Sequence, residues 1–265
     1  MNINLQTLCH EVCTLSIGVG AFIKNERDKF STDNIEIKGK NDFVSYVDKT
    51  SEKLLVEKLS ALLPESGFIA EEGTSDKQGA IYNWVIDPLD GTTNFIHGVP
   101  CYSISIALMK GNSTVLGVVY EINLDECFYA WEGSKAYMNG KEISVSKVKN
   151  LSDSLLATGF PYYDFSRMDQ YMELFQYFMK NTHGLRRLGS AATDLAYVAC
   201  GRFEGFYEYS LHPWDVAAGA FIVQQAGGKV TDFKGEENYI FGKEIVAGNP
   251  HIYDEFSNCV KSHFN

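Results

Sequence analysis

Two aspartates, Asp87 and Asp90, lie three residues apart at the end of an apolar run in this 265-residue chain. Carboxylates at the end of a buried strand are costly in free energy unless a cation compensates their charge. Glu71 and Asp215 also lie at the ends of apolar segments, far away in sequence. Mg²⁺ takes about six oxygen ligands, among them carboxylates and water. We therefore predict that the four acids bind Mg²⁺, with the carbonyl of Leu89 as a further ligand.

Each acid taken alone has an ordinary structural interpretation. Asp215 precedes a predicted helix at 216–226 and is a good N-cap, and Asp90 followed by Gly91 is typical of a turn. These alternatives stay open for the single residues. The metal site is favoured for the four together, because two of the acids directly follow a strand of Ile and Val.

The segment Gly91-Thr92-Thr93 adds hydroxyl groups and backbone amides immediately after the second aspartate. If a helix begins there, its amides and its dipole suit a phosphate group. Such a segment is weak evidence by itself, but beside two metal-binding aspartates it predicts a phosphate site.

The elements that must position these residues follow from hydrophobic periodicity. The polar stretch 31–42 is typical of a loop or hairpin. We find no internal repeat and no linker, so we expect one catalytic unit over 1–265, with an N-terminal half at 1–145 that carries the metal motif and a C-terminal half at 146–265. Helices are predicted at 5–23, 50–63, 168–180, 190–200 and 216–226; strands at 67–70, 81–86 and 203–207; and an antiparallel meander at about 100–145.

Composition limits the partners and the compartment. There are 34 acidic and 23 basic residues and the net charge is −11, which makes nucleic-acid binding unlikely because phosphate neutralisation needs a basic face. The six cysteines contain no CxxC pair, so we expect a reduced, cytoplasmic protein in which Cys9 and Cys13 pack on a helix. We identify no signal peptide and no apolar run long enough to span a membrane.

Three motifs resemble the signatures of the inositol monophosphatase family. They are Asp87–Phe95, the segment Trp214–Gly219 with Ala226–Gly228 downstream, and Glu71-Glu72. The resemblance covers nearly the whole chain in the same order, and Ala157–Pro161 is similar to bacterial-type members. It implies an α/β (α+β) fold, a layered αβαβα sandwich of the sugar phosphatase type. It also implies a Mg²⁺-dependent phosphatase that is often inhibited by Li⁺.

The resemblance also implies a role for each metal ligand. Glu71, Asp87 and the Leu89 carbonyl would bind one Mg²⁺. Asp87, Asp90 and Asp215 would bind a second ion. A third, weaker ion would lie near Glu71 and water. Two to three ions are therefore expected.

Further roles concern the attacking water and the phosphate. The resemblance implies that Thr92 pairs with Asp48 to orient the water, with Glu71 as a further catalytic residue. The alternative for Asp48 is a cap of the helix that follows it. The amides of Gly91 and Thr92, beside Asp90, would hold the phosphate.

The substrate contacts rest on fewer residues. Glu208 could instead be a surface strand residue, and Lys38 could lie near the metal site or in a solvated loop. We interpret His212 as a wall of the pocket and not as a nucleophile. For the double arginine at 186–187, surface charge or a dimer contact is favoured over contact with an RNA-associated partner. The segments that match the inositol contacts of the family are Gly189, Ser190, Ala191 and Glu208.

These observations predict a phosphomonoesterase that hydrolyses myo-inositol monophosphate to inositol and phosphate by attack of a metal-activated water. The substrate would be a small phosphorylated polyol, and a homodimer is the default for the family. The alternatives are a fructose-1,6-bisphosphatase, a histidinol-phosphate phosphatase, a nucleotide 3′-phosphatase, or a regulatory protein without activity on the same scaffold.

Overall fold

The computed structural model describes residues 3–29, 35–39, 42–161 and 164–264. The first helix, α1 (Leu5–Arg27), begins after Asn4, whose side chain accepts a hydrogen bond from the amide of Thr7. A two-stranded antiparallel hairpin, β1 (Ile35–Gly39) and β2 (Asp42–Ser45), leads directly into α2 (Tyr46–Leu62). The hairpin agrees with one of the two interpretations of the polar stretch.

Seven strands form the larger sheet in chain order. The first two are parallel, and all other neighbours are antiparallel. The meander predicted at about 100–145 is therefore confirmed. The strands are β3 (Gly67–Ala70), β4 (Tyr82–Asp90), β5 (Ser103–Lys110), β6 (Ser113–Glu121), β7 (Glu126–Trp131), β8 (Ala136–Met138) and β9 (Lys141–Ile143).

Five strands form the smaller sheet: β10 (Leu155–Thr158), β11 (Gly184–Arg186), β12 (Gly205–Tyr209), β13 (Lys229–Thr231) and β14 (Glu244–Gly248). Their spatial order is β11-β10-β12-β14-β13. β10 is parallel to both of its neighbours, whereas the pairs of β14 are antiparallel. The remaining helices are α3 (Thr92–His97), α4 (Met168–Asn181), α5 (Ala191–Ala199), α6 (Pro213–Gln225) and α7 (Tyr253–Phe264).

The helices and sheets alternate in five layers. α1 and α2 pack on one face of the larger sheet, α5 and α6 lie between the two sheets, and α4 and α7 cover the smaller sheet. The predicted α/β fold with αβαβα layers is thus confirmed. No helix in the described ranges is long and apolar enough to cross a membrane.

The central helices are buried because their side chains are small. α6 carries a run of alanines with Gly219, and a helix that is apolar on all sides belongs in a core. A Cβ atom at Gly219 would lie 2.6 Å from the Cβ of Leu195 on α5. A Cβ atom at Gly117 of β6 would lie 2.8 Å from the carbonyl of Ala218. Close approach of these elements holds the beginnings of α5 and α6 at one place.

Four predicted boundaries are wrong in ways that matter for the site. α2 begins at Tyr46 and not at 50, because Ser45 and Asp48 form a capping box. α6 begins at Pro213 and not at 216, because proline suits the first helical position. Asp215 is therefore the third residue of α6 and not its N-cap, which is His212.

The other two corrections concern strands. β4 continues to residue 90 instead of ending at 86, since Asp87 pairs with Ser105 and Asp90 pairs with Ser103. Three steps along β4 thus match two along β5, which is a β-bulge. β12 covers 205–209 instead of 203–207, because the amide of Phe203 still bonds the end of α5 through the carbonyl of Tyr197.

Candidate active site

A cavity of about 450 Å³ opens where the end of β4 meets the beginnings of α3, α5 and α6. Acidic side chains lie at both of its ends. We call the end near β4 the metal end and the end near β12 the far wall. The metal end is lined by Glu71, Asp87, Leu89, Asp90 and Asp215, and the far wall by Gly159, Arg187, Asp194 and Glu208.

Three carboxylates converge at the metal end. Asp87, Asp90 and Asp215 each offer one oxygen atom, and these atoms lie within 4.8 Å of one another. The bulge in β4 presents the first two, and the early start of α6 brings the third. Such a set of hard oxygen donors fits a small divalent cation. Within the part of the chain that the structure describes, this is the group of acids that could hold a metal ion.

Donors of the chain hold two of these carboxylates in place. Oδ2 of Asp90 accepts hydrogen bonds from the Ser190 hydroxyl and from the Ala192 amide, both at 2.7 Å. Oδ2 of Asp215 accepts one from the amide of His212 at 2.6 Å. Each carboxylate is thus fixed by the N-terminal turn of a helix, which favours its charge.

Glu71 follows β3 directly and lines the same end of the cavity as Asp87. The turn that carries it is held by Glu52 of α2, whose carboxylate accepts the amides of Glu72 and Thr74 at 2.7 Å. Glu52 is fully buried. Sequence reasoning missed it, although an acid on the apolar face of a predicted helix is a usable signal.

Burial raises the pKa values of these carboxyl groups. It raises the pKa of Asp215 to about 8 and that of Asp90 to about 6, from an ordinary 3.8. The pKa values of Asp87 and Glu71 lie well above their ordinary range, first through burial and then through the neighbouring acids. The group can be fully ionised at neutral pH only beside a positive charge, so its electrostatics fit a cation as well as its geometry does.

Thr92, at the beginning of α3, lies close to Asp48. Its hydroxyl is 2.9 Å from Oδ1 of Asp48 and 3.1 Å from the carbonyl of Leu89. Oδ2 of Asp48 accepts the amide and the hydroxyl of Ser45, at 2.9 and 2.6 Å. The capping interpretation and the pairing with Thr92 therefore hold together, because each uses a different oxygen of one buried carboxylate.

Gly91 and Asn94 shape the turn between the two ends of the cavity. Gly91 has a φ of 98°, and a Cβ atom there would lie 3.0 Å from the carbonyl of Cys101, so only glycine fits without strain. The amide of Asn94 donates to the carbonyls of Cys101 and Leu188 at 2.7 and 2.8 Å. This side chain ties α3 to the segment that carries the substrate-site residues.

The far wall contains Glu208, which is 6% exposed and lines the cavity, so it is not a surface strand residue. A Cβ atom at Gly159 would lie 1.9 Å from its Oε1, so the carboxylate rests against a bare backbone. Gly189 and Ala191 line the cavity as well. Ser190 is 2% exposed, and its hydroxyl points to Asp90.

Four further residues were named from the sequence: Lys38, His212, Arg186 and Arg187. Lys38 lies in β1, but its side chain is outside the described residues. His212 lines the cavity and stacks on Trp214, with ring centroids 4.8 Å apart. Arg186 is exposed, whereas Arg187 lines the cavity and lies 5.1 Å from the ring centroid of Phe160. The surface interpretation of the double arginine is therefore wrong for Arg187, since adjacent side chains leaving a strand point to opposite sides.

Asp194 of α5 was also missed by sequence reasoning. It is 1% exposed and lines the cavity. The apolar residues around it in the sequence indicate only a buried helix, and an acid within that helix is the one signal of a site.

Comparison with known proteins gives a consistent result. A family model described as the inositol monophosphatase family matches residues 4–262. A putative Nus factor SuhB of Neisseria meningitidis is 44% identical over 237 residues, 89% of this chain and 90% of that protein. An inositol-1-monophosphatase of Rhizobium meliloti is 41% identical over 220 residues, 82% of each chain.

The fold agrees with that result. The solved structure of a Thermotoga maritima IMPase superposes with a TM-score of 0.87 at 36% identity, covering 96% of this chain and 97% of the other. Both the sequence motifs and the arrangement of the acids at the end of β4 are accounted for by this kinship. The chain belongs to the inositol monophosphatase family.

Proposed function

We propose that this chain is a Mg²⁺-dependent phosphomonoesterase that hydrolyses myo-inositol monophosphate to inositol and phosphate. The observation that carries the proposal is the convergence of three aspartate oxygens within 4.8 Å at one end of a cavity of about 450 Å³. The name of the Rhizobium relative, inositol-1-monophosphatase, supports the substrate.

The proposal includes two or three magnesium ions. Asp87, Asp90, Asp215 and Glu71 would hold them, with the carbonyl of Leu89 as a further ligand. Bound cations would neutralise the carboxylates, polarise the phosphate ester and make a coordinated water more acidic. Li⁺, a small cation that also prefers oxygen ligands, would inhibit by occupying part of this site.

The side chains of this protein then have defined tasks. The hydroxyl of Thr92 donates a hydrogen bond to Oδ1 of Asp48, which leaves the lone pairs of Oγ1 free to accept a hydrogen bond from a water molecule. A water held in this way has its own oxygen lone pairs turned away from Thr92, toward the phosphorus atom. The amides of Gly91 and Thr92 would bind a phosphate oxygen, and no covalent enzyme intermediate is required.

The alcohol part of the substrate would lie against the far wall. Glu208 offers a buried carboxylate to a hydroxyl group there, and a phosphate ester without that hydroxyl would leave the carboxylate without a partner. This argument favours a polyol, and it leaves the other sugar phosphatases of the same superfamily as alternatives.

Phosphate release from a substrate panel tests the proposal. The panel contains inositol 1-phosphate, fructose 1,6-bisphosphate, histidinol phosphate and a nucleoside 3′-phosphate, each with Mg²⁺ and with EDTA, and the preferred substrate is repeated with added Li⁺. We expect the highest kcat/KM for inositol 1-phosphate and no turnover with EDTA. A clear preference for another ester would contradict the assignment of inositol 1-phosphate as the substrate. Activity that survives EDTA would contradict the metal site.

A Nus factor role is a second candidate, favoured by the name of the Neisseria relative at 44% identity. The net charge of −11 opposes direct binding to a nucleic-acid backbone, so such a role would use protein contacts. A gel-shift assay with single-stranded RNA at low salt is expected to show no complex. A salt-sensitive complex would contradict the expectation that the role uses protein contacts alone. It would indicate that a local basic surface binds RNA despite the net negative charge.

A further inference from the structure

The far wall of the cavity contains two buried carboxyl groups, of which sequence reasoning had named only Glu208. The other is Asp194, in the first turn of α5. Asp194 is 1% exposed and Glu208 is 6% exposed, and both line the cavity. Oδ1 of Asp194 is buried and has no hydrogen-bond partner among the described residues. A buried carboxyl oxygen without a partner is costly in free energy, so a ligand that supplies one would be favoured.

The two groups are coupled electrostatically. Burial, followed by the charges of Glu208 and Asp90, raises the pKa of Asp194 well above its ordinary value, and the guanidinium of Arg187 acts in the opposite direction. Burial likewise raises the pKa of Glu208, and Arg187 again opposes the shift. The guanidinium of Arg187 therefore acts on both acids, and both acids line the cavity.

The position of Asp194 links it to the reacting end of the cavity. The same turn of α5 supplies the Ala192 amide that holds Asp90, at 2.7 Å. Any group bound by Asp194 is thus kept at a fixed separation from the metal end. In the same wall, Gly159 lacks the Cβ atom that would displace the Glu208 carboxylate. Both features are expected of a wall built to recognise a substrate group.

We infer that Asp194 is a specificity-determining residue which, together with Glu208, binds hydroxyl groups of the alcohol part of the substrate. The inference rests on the proposed function and names a residue that the sequence motifs had not. A hydroxyl group both donates and accepts, so a pair of hydroxyls can satisfy two carboxyl groups that share one proton or one cation. An apolar ring in the same place leaves both carboxyls desolvated and without partners.

The test compares inositol 1-phosphate with cyclohexyl phosphate, which has the same ring without hydroxyls. The ratio of their kcat/KM values is measured for the wild type, Asp194→Asn and Glu208→Gln. We expect each variant to lower the ratio about tenfold, because a hydrogen bond to a buried polar group is lost for the polyol only. The loss should appear mainly as a higher KM for inositol 1-phosphate.

Asp232→Asn serves as the matched control. Asp232 is also buried, at 5% exposure, but its carboxylate bonds the amides of Lys234 and Glu236 in a turn away from the cavity. This variant should leave the ratio unchanged even if it lowers the melting temperature. It therefore separates recognition from a general loss of stability.

Three results would overturn the inference. An unchanged ratio in Asp194→Asn, or an equal loss for both esters, would assign Asp194 to the structure of α5 alone. A wild type that prefers 2-aminoethyl phosphate to inositol 1-phosphate would show that the acids bind an ammonium group instead. If the wild type hydrolyses none of these esters with Mg²⁺, the proposed function itself fails, which is a different outcome from turnover with an unaltered ratio.

Discussion

The two ends of the cavity are both acidic, but their carboxylates differ in the hydrogen bonds that they accept from the chain. At the metal end, the oxygens of Asp90 and Asp215 accept hydrogen bonds from helix N-termini, at 2.6–2.7 Å. At the far wall, Oδ1 of Asp194 has no hydrogen-bond partner among the described residues, and the guanidinium of Arg187 opposes the rise in the pKa of both Asp194 and Glu208.

The contrast agrees with what each end is proposed to bind. A small cation needs ligand oxygens fixed in advance, because its coordination geometry tolerates little error. A polyol brings its own donors and acceptors, so the wall that binds it can leave its hydrogen bonds to be completed by the ligand. We therefore expect changes at the metal end to affect kcat and changes at the far wall to affect KM and selectivity.

Asp90→Asn should have the largest effect. It removes a charged oxygen ligand but preserves shape, and the loss of several kcal/mol of transition-state stabilisation corresponds to about 10³-fold or more in kcat. Phosphate release measures it, and circular dichroism checks the fold. Asp254→Asn, at an 82% exposed side chain, is the control and should remain fully active. Wild-type turnover in Asp90→Asn would contradict the metal mechanism.

Thr92→Val should have the second-largest effect. It keeps the shape of the side chain and removes the hydroxyl that lies 2.9 Å from Asp48. Loss of a group that orients the water is expected to lower kcat roughly 10²-fold with a small change in KM. Steady-state kinetics separate the two parameters. A higher KM with an unchanged kcat would show that Thr92 binds substrate and does not position water.

Gly159→Ala examines the far wall without altering a charge. The new Cβ atom would lie 1.9 Å from Oε1 of Glu208, so the carboxylate must move away from the cavity wall. We expect KM for inositol 1-phosphate to rise about tenfold, the scale of one hydrogen bond to a charged group. Gly18→Ala, at a glycine of α1 with open space around it, controls for a general effect of alanine. A drop in kcat as large as that of Thr92→Val would contradict the division between the two ends.

The pH dependence of the metal-free protein should show the smallest effect. Burial raises the pKa of Asp90 to about 6 and that of Asp215 to about 8, so between their ordinary value of 3.8 and these values the folded state binds more protons than the unfolded state. The free energy of unfolding then falls as the pH rises through this window.

We expect the melting temperature of the EDTA-treated protein to drop by several degrees from about pH 5 to about pH 8, since each kcal/mol corresponds to roughly 2–4 °C for a chain of this size. Mg²⁺ should restore it most at the higher pH, because the cation binds the ionised form. Asp90→Asn should flatten the slope. A melting temperature that rises over this range without metal would show that these carboxyls are not desolvated.

The fold class, the larger sheet and the acids of the metal end could all be predicted, because each depends on local signals. Hydrophobic periodicity marks strands and helices, and Asp87 and Asp90 share one short motif with Leu89 and Gly91 between and after them. The predicted boundaries failed where a cap or a bulge decided them, at Ser45, Pro213 and the end of β4.

The contacts that escaped prediction join residues that are distant in sequence. Glu52 holds a turn 20 residues away, Asn94 joins α3 to the carbonyl of Leu188, and Ser190 reaches across 100 residues to Asp90. Nothing within a window of the sequence indicates such contacts. Arg187 was misjudged for the same reason, since only the path of the chain after β11 turns it toward the cavity.

By itself, then, the sequence determined the family and the acids of the metal end, because Asp87, Asp90 and Gly91 stand in one short segment at the end of an apolar run. Only the tertiary structure decided which acids form the far wall. Asp194 and Glu208 lie on a helix and a strand whose packing between the two sheets brings them to one wall. Their burial, and the cost of leaving a buried oxygen without a partner, exists only once the layers have closed around them.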